Sequence, residues 1–165
     1  MPRLFVAVWP PPAVVDVLAA LPRQAAPGLR FTTAEQWHAT VRFLGSCSET
    51  EARAALRQVR FAATAVRLGP TVERLGPGVV VAPVAGLETI AKVVREATAS
   101  VGEPVDPRSF VGHITLARSK GDGPCSLDGV GVRGTFTVRE IALVRSELHP
   151  DGARYTTVAT VAADL

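Results

Sequence analysis

With 165 residues, 47% of them hydrophobic and 20% charged, the chain can bury a substantial core and is too apolar for wholesale disorder. Its formal net charge is +3, and only Lys92 and Lys120 among 18 cationic side chains are lysines. The basic character is therefore arginine, whose planar fork fits phosphate oxygens, although a GC-rich genome would supply the same bias.

In chain order, Leu4–Trp9 reads as a strand dense in β-formers. Pro10-Pro11-Pro12 cuts this apolar start too short for a secretory signal and suits a helix start. Val14, Val15, Leu18 and Leu21 then recur at helical spacing over Ala13–Leu21. Pro22, Pro27 and Gly28 punctuate a loop, and Thr32–Trp37 predicts a short helical turn before a strand, His38–Leu44, ended by Gly45. Ser48-Glu49-Thr50-Glu51 has the capping-box form and opens a helix running to Arg60. Thr71–Leu75 and Val79–Val84 predict a hairpin around Gly76-Pro77-Gly78, and Leu87–Ser100 a helix with Leu87, Ile90, Val93, Val94 and Ala97 on one face. A strand Val111–Arg118 follows, then a glycine-rich stretch, Gly121–Gly131, that reads as a mobile loop. Two long strands, Thr135–Arg145 and Arg154–Ala162, close the chain around the turn His149-Pro150-Asp151-Gly152. Helices interspersed with hairpin-like strand pairs predict one α+β domain over residues 1–165 with largely antiparallel sheets.

Cys47 and Cys125 are the only cysteines and belong to no CxxC pair, so free thiols in a reducing cytoplasm are expected. Zinc-ligand spacings are absent, and no run of about 18 apolar residues marks a transmembrane helix.

One tetrapeptide pattern occurs twice: His38-Ala39-Thr40-Val41 and His113-Ile114-Thr115-Leu116. In a strand, residues i and i+2 share a face, so each His and its Thr point one way and the apolar pair points into a core. The repetition predicts a duplicated unit that brings two imidazoles and two hydroxyls to one cleft. Histidine titrates near pH 6.5, so one ring can be neutral while the other is charged, as paired general base and general acid require. Thr40 and Thr115 can hydrogen-bond phosphate oxygens on the same face. Arg42, at i+4 from His38, shares that face by alternation, whereas Arg118, at i+5 from His113, falls on the opposite one. His149 reads as an ordinary turn residue, and Trp37 and Phe43 as packing residues.

Several segments together resemble the two-histidine phosphoesterase superfamily, in its bacterial and archaeal 2′-5′ RNA ligase-like branch. They are Arg3-Leu4-Phe5-Val6-Ala7-Val8, Trp37 to Gly45 around the first motif, His113 to Arg118 around the second, Leu143 to Leu148, and Gly152-Ala153-Arg154-Tyr155. Two departures are Gly112, where the family often has proline, and Ala39, where it usually has leucine or isoleucine. The resemblance implies a bilobal fold of two pseudo-twofold-related lobes, each a small antiparallel sheet with outer helices, around an active-site cleft. It implies hydrolysis of RNA or nucleotide 2′,3′-cyclic phosphates to 2′-phosphates, with reversible 2′-5′ ligation as a side reaction. His38 would be the proton donor and His113 the proton acceptor, with Thr40, Thr115 and Arg118 holding phosphate; Arg42, on the His38 face by alternation, would touch either phosphate or solvent. Neither metal nor cofactor is expected, and the protein would act as a cytoplasmic monomer on RNA or nucleotides, away from membranes. The rival reading is a nucleotide- or RNA-binding module with little chemistry.

Overall fold

The computed structural model describes residues 1–121 and 123–164; Asp122, within the expected glycine-rich loop, and Leu165, at the end of the expected domain, lie outside them. The described residues form an α+β fold of ten strands and three helices. In order these are β1 (Arg3–Val8), α1 (Pro12–Ala19), β2 (Leu29–Phe31), β3 (Ala39–Ser46), α2 (Glu49–Leu56), β4 (Thr64–Leu68) and β5 (Glu73–Arg74). They continue with β6 (Val79–Ala85), α3 (Glu88–Ala97), β7 (His113–Ser119), β8 (Gly134–Val138), β9 (Glu140–His149) and β10 (Gly152–Ala162). A single 3-10 turn, Ala34–Gln36, leads into β3, as the Thr32–Trp37 pattern predicts. No helix among the described residues is long and apolar enough to cross a membrane.

All ten strands belong to one antiparallel sheet, ordered β10-β9-β1-β3-β7-β6-β4-β8, with β2 added to β7 and β5 to β6. The two small sheets expected of separate lobes are thus fused. Their halves meet at one residue pair, Ala39 opposite Ile114. At the far end the Asp164 amide reaches the Phe61 carbonyl at 2.8 Å and the Ala163 amide reaches the Arg139 carbonyl at 2.8 Å, so the sheet curls into a half-barrel.

The helices cover one face of this sheet. Val6, Val41, Ile114 and Leu143 of four neighbouring strands join Leu18 of α1, Leu56 of α2 and Ile90 and Val94 of α3 in one apolar core. The opposite face carries a smaller cluster, Phe5, Ala7, Ala142 and Val144, under Trp9 and Tyr155. β1 is therefore covered on both faces, which is why Leu4–Val8 is an unbroken apolar run instead of an alternating one.

Several expected boundaries move. Helix α2 is capped by Ser48 as predicted, its side chain accepting the Glu51 amide at 3.3 Å, but it ends at Leu56 and not at Arg60. The expected strand Thr135–Arg145 divides at Arg139 into β8 and β9, which lie far apart in the sheet order. Gly45 does not end β3: it sits inside the strand at φ 71°, a conformation that glycine adopts without strain. The loop after β7 is tied down in its described part, because Arg74 grips the Asp128 carboxylate at 2.9 and 3.0 Å and the Gly123 carbonyl at 2.6 Å.

Candidate active site

The second His-x-Thr motif opens β7, and the first straddles the start of β3, with His38 immediately before it. Ala39 faces Ile114 across the β3–β7 junction, so carrying the antiparallel register one residue either way sets Thr40 across from His113 and His38 across from Thr115. The apolar members, Ala39 and Ile114, are buried on the helical side. His38, Thr40, His113 and Thr115 line a single cavity of about 550 Å³ on the other side, as the repeated pattern predicts.

The two rings are held alike. His38 Nδ1 lies 2.6 Å from the Gln36 carbonyl, and His113 Nδ1 lies 2.8 Å from the Val111 carbonyl. A carbonyl only accepts, so each Nδ1 carries its hydrogen and each Nε2 is left for other partners. The surroundings differ. His38 stacks on Phe5 at 4.7 Å between centroids and meets Tyr155 and Trp9 edge-on at 5.1 and 5.7 Å. Its Nε2 lies 3.0 Å from Thr40 Oγ1. Burial among these rings pushes the His38 pKa below its ordinary value; the Gln36 carbonyl opposes this, and repulsion from His113 and Arg118 adds to it.

A bulge in each central strand decides which arginine reaches the cavity. In β3, Val6 pairs with Arg42 and Ala7 with Thr40, leaving Val41 as an extra residue. In β7, Val80 pairs with Ala117 and Val81 with Thr115, leaving Leu116 extra. Each bulge reverses the alternation after the Thr. Arg118 is thereby turned onto the His113 face and lines the cavity, against strict alternation and in agreement with the resemblance. Arg42 is turned away, which corrects the expectation that it touches phosphate or solvent. Only 4% exposed, it donates from Nε to Thr98 Oγ1 at 3.1 Å and from Nη2 to the Val101 and Glu103 carbonyls at 3.0 and 2.7 Å. Its guanidinium is a structural brace.

The same bulge brings Phe43, expected to pack in the core, out to the cavity wall at 43% exposure, while Trp37 is buried as expected. Reading the sequence also missed Arg3 and Arg30, and took His149 for an ordinary turn residue; all three line the cavity. The signal for Phe43 was the repeat itself, since it stands at the same offset from His38 as Arg118 from His113. Gly112 has a steric reason: the backbone there runs so close to the Val84 carbonyl that any side chain would collide with it. Among the described residues, no group of three or more His, Cys, Asp or Glu side chains is placed to hold a metal ion.

Solved structures share this architecture from end to end. TT0787 of Thermus thermophilus aligns over 97% of both chains with 30% identity and a TM-score of 0.79. Escherichia coli LigT, solved with 3′-AMP, aligns over 99% of both chains with 23% identity and a TM-score of 0.81. A protein described as a phosphoesterase aligns over 99% of both chains with 21% identity and a TM-score of 0.81. No protein-family model matches the sequence, and neither does any curated protein. Likeness along the whole chain, with both His-x-Thr motifs seated in one cavity, defines the class: this chain belongs to the LigT-like family of two-histidine phosphoesterases.

Proposed function

We propose that the protein is a metal-independent phosphodiesterase that opens 2′,3′-cyclic phosphate ends of RNA or nucleotides to 2′-phosphates. The observation that carries this reading is the pair of imidazoles with matched Nδ1 anchors, both turned into one cavity. Water attacks phosphorus as His113 Nε2 takes its proton; the P–O3′ bond breaks, and His38 Nε2 protonates the leaving oxygen. The Thr40 and Thr115 hydroxyls and the Arg118 fork hold the non-bridging oxygens, where negative charge grows in the transition state.

His38 needs its proton when it acts as the donor, yet burial disfavours the charged ring in the free protein. A bound phosphate anion supplies the opposite charge that the aromatic surroundings lack and draws the His38 pKa back up. The donor form therefore accumulates with substrate. Run in reverse, with a 5′-hydroxyl in place of water, the same geometry forms a 2′-5′ bond.

Substitution at each ring tests the reading. His38→Ala and His113→Ala should each lose roughly 10²–10⁴-fold in turnover of a 2′,3′-cyclic nucleotide while still binding it. Wild-type protein that binds nucleotides but turns over no cyclic phosphate or 2′-5′ linkage would be a binding module instead.

A further inference from the structure

The turn of the β9–β10 hairpin reaches across one end of the cavity. In the sheet order β9, β1 and β3 separate β10 from β7, and β2 is attached to β7. The Arg30 guanidinium of β2 nevertheless donates from Nη2 to the Asp151 carbonyl in the hairpin turn, at 2.7 Å. Gln36, in the 3-10 turn before β3, donates from Nε2 to the Ala153 carbonyl at 2.8 Å. Arg30, Gln36, His149, Gly152 and Ala153 all line the cavity, so the two bonds clasp its end. Gly152 lets the clasp close: its φ is 122°, and a Cβ there would push the Arg30 guanidinium aside.

The clasp converges on His38 by two routes. The Gln36 carbonyl anchors His38 Nδ1, while the Gln36 side chain accepts the Thr33 amide at 3.0 Å and donates to Ala153. The peptide that orients the ring is thereby tied to the hairpin. Two residues after Ala153, Tyr155 meets both His38 and Phe5 edge-on, at 5.1 and 5.2 Å between centroids. β10 is an edge strand with β9 as its one neighbour in the sheet order, and the clasp gives its first residues a second tether.

We infer that Arg30 and Gln36 are positioning residues: by clasping the β9–β10 hairpin across the cavity, they hold Tyr155 and the Gln36 carbonyl against His38. The inference rests on the phosphodiesterase reading, in which His38 Nε2 must point at the leaving oxygen. A ring fixed at Nδ1 and flanked by Tyr155 is aimed before substrate arrives. The charged and titratable groups that face His38 are His113 and Arg118 of β7 and Tyr155 of β10. Arg30 therefore acts on the ring through the hairpin and not through its own charge.

Arg30→Met, Gln36→Met and Gly152→Ala open the clasp by three different routes, and none alters a histidine. Below the melting transition, NMR titration of each variant should show His38 moving up toward 6.5, because water reaches a ring that burial had shielded. With a 2′,3′-cyclic mononucleotide, kcat should fall at least about tenfold while KM changes less than about threefold. Arg30→Lys, which can still donate to the Asp151 carbonyl, should keep most of the wild-type kcat. In a Tyr155→Leu background, Gln36→Met should add little to the shift of His38. Clasp variants with wild-type His38 titration, or a shift as large with Tyr155 already replaced, would overturn the inference. So would a loss confined to Arg30→Met and expressed in KM, which would mean that Arg30 binds substrate directly. Wild-type protein that turns over no cyclic phosphate would remove the phosphodiesterase reading, and the titration would then decide the clasp by itself.

Discussion

Arg42 and Arg118 occur near the ends of the two copies of one motif, and the structure gives them opposite surroundings. Removing Arg42 should cost stability and not chemistry. Its guanidinium satisfies the Phe43, Thr98, Val101 and Glu103 carbonyls and the Thr98 hydroxyl, at 2.7–3.2 Å, in a site only 4% exposed. A hydrogen bond to a charged donor contributes about 1.5–3 kcal/mol, and bonds sharing one group do not add in full. Arg42→Ala leaves several carbonyls short of a donor and a hole beside α3, so a loss of about 3–5 kcal/mol is expected. In a chain of this size that lowers Tm by roughly 6–20 °C, at about 2–4 °C per kcal/mol. Arg42→Lys keeps the charge but cannot reach all these acceptors, and should fall between the two. Urea unfolding followed by circular dichroism, paired with kcat/KM below the transition, reads both quantities. An Arg42→Ala protein of native stability with collapsed activity would show that the arginine works on substrate and that the brace is misread.

The mirror experiment uses Arg118. Arg118→Ala should lose far more activity than Arg118→Lys, and neither should move the urea midpoint, because this exposed side chain lines the cavity and not the core; a large stability loss would refute the placement. Followed by NMR, His38 should titrate below its ordinary 6.5 in the free protein. It should move up, though still short of 6.5, in His113→Ala, since burial remains and outweighs the opposing Gln36 carbonyl. A ring already at or above 6.5 in wild type would contradict the aromatic packing. The same shift has a sign for stability: the unfolded ring takes up a proton that the folded ring resists, so stability falls as pH drops below about 6.5 and levels off below the folded value. His38→Gln should flatten that part of the pH–stability curve, and an unchanged slope would mean that other groups set it.

The geometry of the candidate site was legible in the sequence where it depends on period-two alternation close to each histidine. His38 with Thr40, and His113 with Thr115, share a face because no irregularity falls between them. The arginines lie beyond a bulge, and alternation carried past a bulge assigns the wrong face. One clue was present: Leu116-Ala117 puts two apolar residues in succession, as a bulge needs when both must face the core. Arg42 hid the same feature in β3, because a buried cation looks like a solvent-facing one until its acceptors, distant in sequence, are in place. β4 escaped because Thr64–Leu68 is short and buries only Val66 and Leu68. The break at Arg139 carries neither glycine nor proline, so one strand was read where the curl of the sheet requires two. The capping box of α2 marked its start well, but nothing local marked its end.

The proposed chemistry turns on two imidazoles opening a cyclic phosphate by cleaving the P–O3′ bond. Incubating wild-type protein with a 2′,3′-cyclic mononucleotide in excess EDTA, and resolving the product isomers by phosphorus NMR, puts that step to the test. Complete conversion to the 2′-phosphate alone is expected, at a rate that added divalent cations do not raise. A 3′-phosphate product, or turnover that starts only when metal is restored, would contradict the two-histidine mechanism.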